Sequence, residues 1–235
     1  MTPRPPESLE AERAGVELWV VRHGETTWNS SGRFQGQIDV PLSPKGAWQA
    51  DRLAQRLIRF SFAAAYSSDL ARCLQTAERL CQLDPALEIT ADRRLREIDV
   101  GRLGGLSLTE IERDHPEYLT ALRADPWNTH RPGGESMAEL FARCAQLAAD
   151  LTARHPGQRV LAFTHGGVVR ALTVLALGPA QASTLRLQVD NTSITRLILS
   201  PAGHRLVSFN DTAHLELDTW APPYPAGSES PAGLG

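Results

Sequence analysis

Between about residues 16 and 217 the chain alternates short apolar runs with stretches in which apolar residues recur every three or four positions. Runs of the first kind predict strands at Glu17–Val21, Ala63–Tyr66, Arg159–Thr164, Ser193–Leu199 and Arg205–Phe209, with a weaker one near Leu87–Thr90. Helical spacing starts at Ser43-Pro44, an N-cap followed by an N1 proline, and continues through Trp48, Leu53, Leu57 and Ile58. A second helix is expected over Asp69–Leu80, and short ones over Thr109–Asp114 and Glu117–Arg123, separated by His115-Pro116. Gly133-Gly134-Glu135-Ser136 opens another, with Leu140, Cys144, Leu147 and Leu151 on one stripe, and an apolar helix runs from Gly166-Gly167 to Gly178. Alternation on this scale predicts an α/β protein of three layers, α/β/α, with a mostly parallel central sheet.

The rest of the composition narrows the picture. Of the 235 residues, the first 15 and the last 18 (218–235) have the Pro-, Gly- and charge-rich character of flexible tails, which leaves 16–217 as one domain. A formal charge of −3 argues against binding nucleic acid or an anionic membrane through bulk charge. The N-terminus has no apolar segment of the signal-peptide kind, and Val168–Leu177 is too short to span a bilayer and is interrupted by Arg170. Three cysteines, Cys73, Cys81 and Cys144, without CxxC spacing, suggest packed thiols in a cytoplasmic protein.

Open parallel sheets bind ligands at the carboxyl ends of their strands. Two of the predicted strands end there in a histidine followed by glycine: Arg22-His23-Gly24 and Thr164-His165-Gly166-Gly167. Gly24 lets the backbone approach a ligand, Arg22 offers a planar fork suited to an anion, and the helix start at Gly166 offers unpaired N–H groups. Ser68 or Asp69 can cap the next helix, placing Arg72 near the same strand mouths, although Asp69 and Arg72 can also simply pair. In "LREIDVGRLGGLSLTEI" either Glu97 or Asp99 is a candidate general acid or base. Two histidines, two arginines and a carboxylate without HExxH spacing fit phosphoryl transfer better than a zinc site, since arginines would repel the cation. Arg113, His115, Arg123, His130 and Arg131 add positive charge over Leu106–Pro132, enough for a substrate with a second anionic group if they do not simply face solvent.

The segments "VRHGETTWNSSGRFQG", "PLSPKGAWQA", "YSSDLARCLQTAE", "LREIDVGRLGGLS", "RPGGES", "FTHGGVVRAL" and "NDTAHL" occur in register along the body. In that order they resemble the histidine phosphatase superfamily, whose fold is phosphoglycerate-mutase-like. The resemblance implies a phosphatase of small phosphorylated metabolites that works without a metal or other cofactor. It implies that His23 is the phosphorylated nucleophile and Glu97 the proton donor. Arg22, Arg72 and His165 would complete the phosphate pocket, with Asn29, Gln35 and the N–H of Gly166 as further phosphate contacts. Residues 106–132 would form a lid on the substrate side, and a homodimer is expected. The sequence lacks the "NER" motif and the following insertion of the mutase members, which turns the resemblance toward the small phosphatases; a bisphosphate-dependent mutase and a silent phospholigand-binding protein are the alternatives. Gly101-Arg102-Leu103-Gly104-Gly105 departs from the "G-x-W-E-G" common in that branch, which leaves the substrate open.

Overall fold

The structure, a computed structural model, describes residues 15–178 and 187–216. The proposed tails lie outside the described residues, apart from Gly15. One six-stranded sheet runs through the domain: β1 (Val16–Arg22), β2 (Ala64–Ser67), β3 (Ile89–Ala91), β4 (Arg159–Thr164), β5 (Ile194–Leu199) and β6 (Arg205–Asp211), in the order β3-β2-β4-β1-β5-β6. The pairings among β3, β2, β4 and β1 are parallel; β5 joins β1 antiparallel and β6 joins β5 antiparallel. Seven α-helices complete the described fold: α1 (Thr27–Ser30), α2 (Pro44–Leu57), α3 (Ala71–Leu83), α4 (Leu108–Asp114), α5 (Pro116–Ala124), α6 (Met137–Arg154) and α7 (Gly166–Leu177).

The period-two alternation of β1 sorts these helices into layers. Val16, Leu18 and Val20 enter a core with Leu140, Leu147 and Leu151 of α6 and Val168, Val169 and Leu172 of α7. Trp19 and Val21 face the other way, onto Leu53 and Leu57 of α2 and Cys73, Ala77 and Leu80 of α3. The expected α/β/α architecture with a mostly parallel sheet is therefore present. None of the described helices is long and apolar enough to cross a membrane. The cysteines are free, Cys73 and Cys144 buried and Cys81 partly so.

Several local expectations change. Trp48 and Ile58 lie off the buried stripe of α2, which Gly46, Ala50, Leu53 and Leu57 form at helical spacing; Ile58 is the exposed C-cap. Neither Ser68 nor Asp69 caps α3: its N-cap is Leu70, and Asp39 Oδ1 accepts the Ala71 N–H at 2.7 Å from a distant loop. Asp69 pairs with Arg96 at 2.6 Å rather than with Arg72, because Arg72 turns inward and is 1% exposed. Thr27–Ser30 forms a single helical turn closed by a capping box between Thr26 and Asn29.

The loop after β1 rests on α2 through facing glycines. A Cβ on Gly46 would lie 2.0 Å from the Glu25 carbonyl oxygen, and one on Gly24 2.5 Å from the Gly46 carbonyl oxygen. Further bonds hold the loop: Gly24 N–H to Thr76 Oγ1 at 3.0 Å, and Glu25 N–H to Gln49 Oε1 at 2.9 Å. Alanine at a helical glycine would ordinarily gain about 1 kcal/mol of helix propensity. Here the backbone clash wins, so Gly46→Ala is expected to destabilise by roughly 1–3 kcal/mol, the usual cost of overpacking. A lower urea midpoint at unchanged m value would show it; an unchanged or higher midpoint would refute the close approach.

Candidate active site

Arg22 stands opposite Thr164 where β1 and β4 end side by side. The His23 N–H donates to the Thr164 carbonyl at 2.9 Å, so the chain leaves both strands in step. The two histidines meet edge to face, ring centroids 5.1 Å apart. Above them opens a cavity of about 380 Å³, lined at its base by Arg22, His23, Asn29, Gln35, Arg72, Glu97 and Gly166.

His23 is 3% exposed, and its Nδ1 lies 2.7 Å from the Gly24 carbonyl oxygen. A carbonyl can only accept, so Nδ1 carries the proton and Nε2 keeps its lone pair. Burial, reinforced by the charges of Arg72 and Arg22, pushes the imidazole well below its usual pKa. At neutral pH His23 is an uncharged base between two cations.

Arg72 is held on every side. Its Nη1 donates to the Ile38 carbonyl at 2.8 Å, its Nη2 to Gly36 at 2.7 Å and its Nε to His165 Nδ1 at 3.2 Å. That last bond makes His165 an acceptor at Nδ1, leaving Nε2–H to donate to Ser68 Oγ at 2.9 Å. His165, with no exposed surface, is not part of the cavity wall; it reaches the cavity through Arg72 and His23. Arg22 donates through Nη1 to the Val189 carbonyl, while its buried Nε has no partner. Burial, together with Arg170 and Arg72, lowers its pKa to about 10 against the pull of Glu97. A dianion placed among these groups would pair charges that are costly to bury alone.

Glu97 and Asp99, equivalent in the sequence, differ in the structure. Glu97 lines the cavity, with Oε1 accepting the Ile98 N–H at 2.8 Å and Oε2 the Gly167 N–H at the start of α7 at 3.1 Å. Asp99 is spent on the Gly101 N–H at 2.8 Å and is not in the wall. Asn29 uses Oδ1 within its capping box, accepting the Thr26 N–H at 3.0 Å, which leaves the amide NH₂ for the cavity. Gln35 Oε1 is buried without a partner.

A family model described as histidine phosphatase superfamily (branch 1) matches residues 18–212. The chain belongs to the histidine phosphatase superfamily. It is 36% identical over 204 residues to phosphoglycerate mutase-like protein 4 of Arabidopsis thaliana, covering 86% of this chain and 87% of that protein. It is 35% identical over 211 residues to a metal-independent phosphoserine phosphatase of the same plant, covering 89% of this chain and 87% of that one. Among solved structures, a mycobacterial glucosyl-3-phosphoglycerate phosphatase superposes with a TM-score of 0.72 at 34% identity, covering 83% of this chain and 98% of that one.

The site also depends on residues that no motif flagged. Arg143 of α6 forms a half-buried pair with Glu135 (2.9 Å) and donates to the carbonyl oxygens of Arg94 (2.7 Å) and Glu97 (3.0 Å), fixing the backbone beneath Glu97. Gln37 donates to the same Glu97 carbonyl at 3.2 Å. Asn191 Nδ2 donates to the His23 carbonyl at 3.0 Å, and the Thr192 N–H to that of Arg22 at 3.0 Å. Thr192 adopts φ 58° to do so, and the sequence carries no sign of it beyond an Asp-Asn turn signal.

The buried histidines are expected to make the fold acid-sensitive. His165, like His23, has its pKa driven well down by burial, then by Arg72 and by His23 itself. In the unfolded chain both titrate near 6.5, so below that pH the unfolded state binds protons the native state refuses. Stability is therefore full above about pH 7 and is expected to fall as pH drops, by roughly 3 kcal/mol per pH unit for the two groups together. Urea unfolding at pH 7.5, 6.5 and 5.5 measures the slope; a flat profile would mean that the histidines protonate in the folded protein.

Proposed function

We propose that this protein is a phosphatase hydrolysing small phosphate monoesters through a phosphohistidine on His23. One observation carries the reading: an uncharged His23, its Nε2 lone pair free, sits at the base of a cavity between Arg22 and Arg72 and within reach of a carboxyl group. Its relatives, a phosphoserine phosphatase and a sugar-phosphoglycerate phosphatase among them, support a phosphatase activity.

In the first step Nε2 attacks phosphorus as the ester P–O bond breaks. Glu97, in its acid form, gives its proton to the departing alkoxide oxygen. Arg22, Arg72, the Asn29 amide and the N–H groups at the start of α7 neutralise the charge on the equatorial oxygens. In the second step the Glu97 carboxylate takes a proton from water, the water oxygen attacks phosphorus, and the P–N bond breaks. Inorganic phosphate leaves with His23 and Glu97 restored. Among the described residues no group of three or more His, Cys, Asp or Glu side chains could hold a metal ion; the residues named here supply the steps by themselves.

The test is phosphate release from a panel of esters in the presence of EDTA, with acid- and alkali-quenched samples searched for protein-bound phosphate. Turnover with a phosphoenzyme that is labile to acid and stable to alkali supports the proposal. Turnover that stops with EDTA, interconversion of 2- and 3-phosphoglycerate outpacing hydrolysis, or binding without turnover would each overturn it.

A further inference from the structure

One of the seven segments that mark the family takes no part in the cavity. "NDTAHL", Asn210–Leu215, closes the edge strand β6 and runs into a 3-10 turn at Ala213–Leu215, and none of its residues lines the wall. Its polar groups go instead to the turn 189–193, which leads into β5. Because β5 runs antiparallel to β1, with Ile194 opposite Val21, that turn stands where β1 ends. There it holds the backbone of the nucleophile. The Thr192 N–H donates to the Arg22 carbonyl at 3.0 Å and to the His23 carbonyl at 3.2 Å, and Asn191 Nδ2 donates to the His23 carbonyl at 3.0 Å. The Arg22 N–H donates to the Ser193 carbonyl at 3.2 Å, and the Val189 carbonyl accepts from the Arg22 guanidinium.

The late segment clasps this turn at two points. The Asp190 N–H donates to Asn210 Oδ1 at 2.7 Å, and Asn210 Nδ2 donates back to Asp190 Oδ2 at 2.6 Å. Two residues farther along the turn, Thr192 Oγ1 lies 3.1 Å from Nε2 of His214, a residue 4% exposed. The Thr192 hydroxyl gives its hydrogen to the Asn191 carbonyl at 2.7 Å, so toward His214 it accepts, and Nε2 carries the ring proton. His214 Nδ1 is buried without a partner, which leaves the hydroxyl as the ring's one hydrogen bond among the described residues. The support under His214 is tied down in turn: Asp211 Oδ1 accepts the Ala213 N–H at 3.0 Å and Nη1 of Arg56, on α2, at 2.8 Å. Thr192 and Asn210 are also the two non-glycine residues with left-handed backbone among the described residues, at φ 58° and 53°. For β-branched Thr192 that conformation is costly, and it persists only where the surroundings over-determine it.

We propose that His214 is a positioning residue for the nucleophile: by holding the Thr192 hydroxyl it fixes the strained turn, and through that turn the backbone of Arg22 and His23. This rests on the phosphatase reading above. His214 touches no substrate, and its effect is on the line along which His23 Nε2 meets phosphorus. A misplacement of about 1 Å at a reacting atom costs on the order of 100-fold in rate. Such a defect slows formation of the P–N bond whatever group departs. That separates it from loss of the Glu97 proton, which depends on the leaving group.

The experiment compares wild type with His214→Met and His214→Gln, two side chains of nearly the same shape of which only glutamine can donate to Thr192 Oγ1. Rapid-quench single turnovers on 3-phosphoglycerate and p-nitrophenyl phosphate give the rate and the amplitude of phosphoenzyme formation. His214→Met is expected to slow the rate roughly 10- to 100-fold on both esters, with full amplitude and little change in KM, and glutamine to recover part of it. Equal rates in the two variants, both fast or both slow, would show that His214 acts through its bulk alone and overturn the proposal. A defect in amplitude only, or on one ester only, would overturn it too. If His214→Met does not fold, Thr192→Val removes the same bond from the other side. Combined with His214→Gln it should be no slower than Thr192→Val alone, and additive losses would count against the coupling. Hydrogen exchange at the Thr192 amide needs no turnover and is expected to be faster in His214→Met than in His214→Gln. A wild type that forms no phosphoenzyme would end the phosphatase reading and leave exchange to judge the turn. Normal phosphoenzyme formation with equal exchange in both variants would end the positioning role and spare the phosphatase.

Discussion

His23→Ala is expected to reduce phosphate release by on the order of 10⁴- to 10⁶-fold, the loss that follows when the nucleophile of a covalent mechanism is removed. No other described side chain can take over. His165 has both ring nitrogens committed, to Arg72 and to Ser68, and does not line the cavity. The cationic groups remain, so inorganic phosphate should still bind the variant. Stability supplies a second, independent readout. Removing one of the two strongly depressed histidines should reduce the acid dependence of unfolding by about 1.4 kcal/mol per pH unit. Wild-type turnover in His23→Ala would refute the phosphohistidine route outright. Lost turnover with an unchanged acid slope would mean that His23 is charged in the native state, against its Gly24 bond and its two cationic neighbours.

Glu97→Gln should cost roughly 10²- to 10⁴-fold on alkyl phosphates, the usual contribution of a positioned general acid. The decisive feature is its dependence on the leaving group. An alkoxide needs the proton as the P–O bond breaks, whereas p-nitrophenolate leaves without one, so the first-step defect should shrink sharply on p-nitrophenyl phosphate. The carboxylate also accepts the N–H groups of Ile98 and Gly167, and a glutamine amide group turned toward either would lose that bond. That loss would weaken all substrates alike, so the ratio between leaving groups isolates the proton transfer. A uniform defect would reduce Glu97 to a cap on α7. Asp99→Asn, by contrast, touches only the Gly101 turn and is expected to leave the ratio as in wild type.

Much of the frame was legible in the chain. β4 runs over Arg159–Thr164 as the apolar run predicted, and α2 begins at the Ser43-Pro44 signal, with Ser43 Oγ accepting the Gly46 N–H at 3.0 Å. The short helices part at His115-Pro116 as expected. These features are set by local rules: strand alternation, capping chemistry and the steric demand of proline. Errors arose where a distant residue competed with the local one. α3 starts two residues later than expected because its first N–H is taken by Asp39, and Ile89–Ala91 pairs later than its apolar run because Asp92 is drawn to the Ser67 carbonyl.

The sequence by itself determined that the chain would form an α/β sandwich and that histidines would stand at two strand ends, because periodicity and strand-to-helix turns are encoded within a few residues of one another. It also carried, in seven short segments, the family to which the chain belongs. Only the tertiary structure set Glu97 in the cavity wall with Asp99 outside it, and moved His165 from the cavity wall to a place behind Arg72. Those choices depend on which donor meets which acceptor across distant parts of the chain, as when Arg143 grips the backbone under Glu97, 46 residues away, and Asn191 that under His23, 168 residues away. A residue's charge and hydrogen-bonding capacity are written in its identity. Whether they face a substrate or another side chain is settled by burial and by the partners that packing brings within reach.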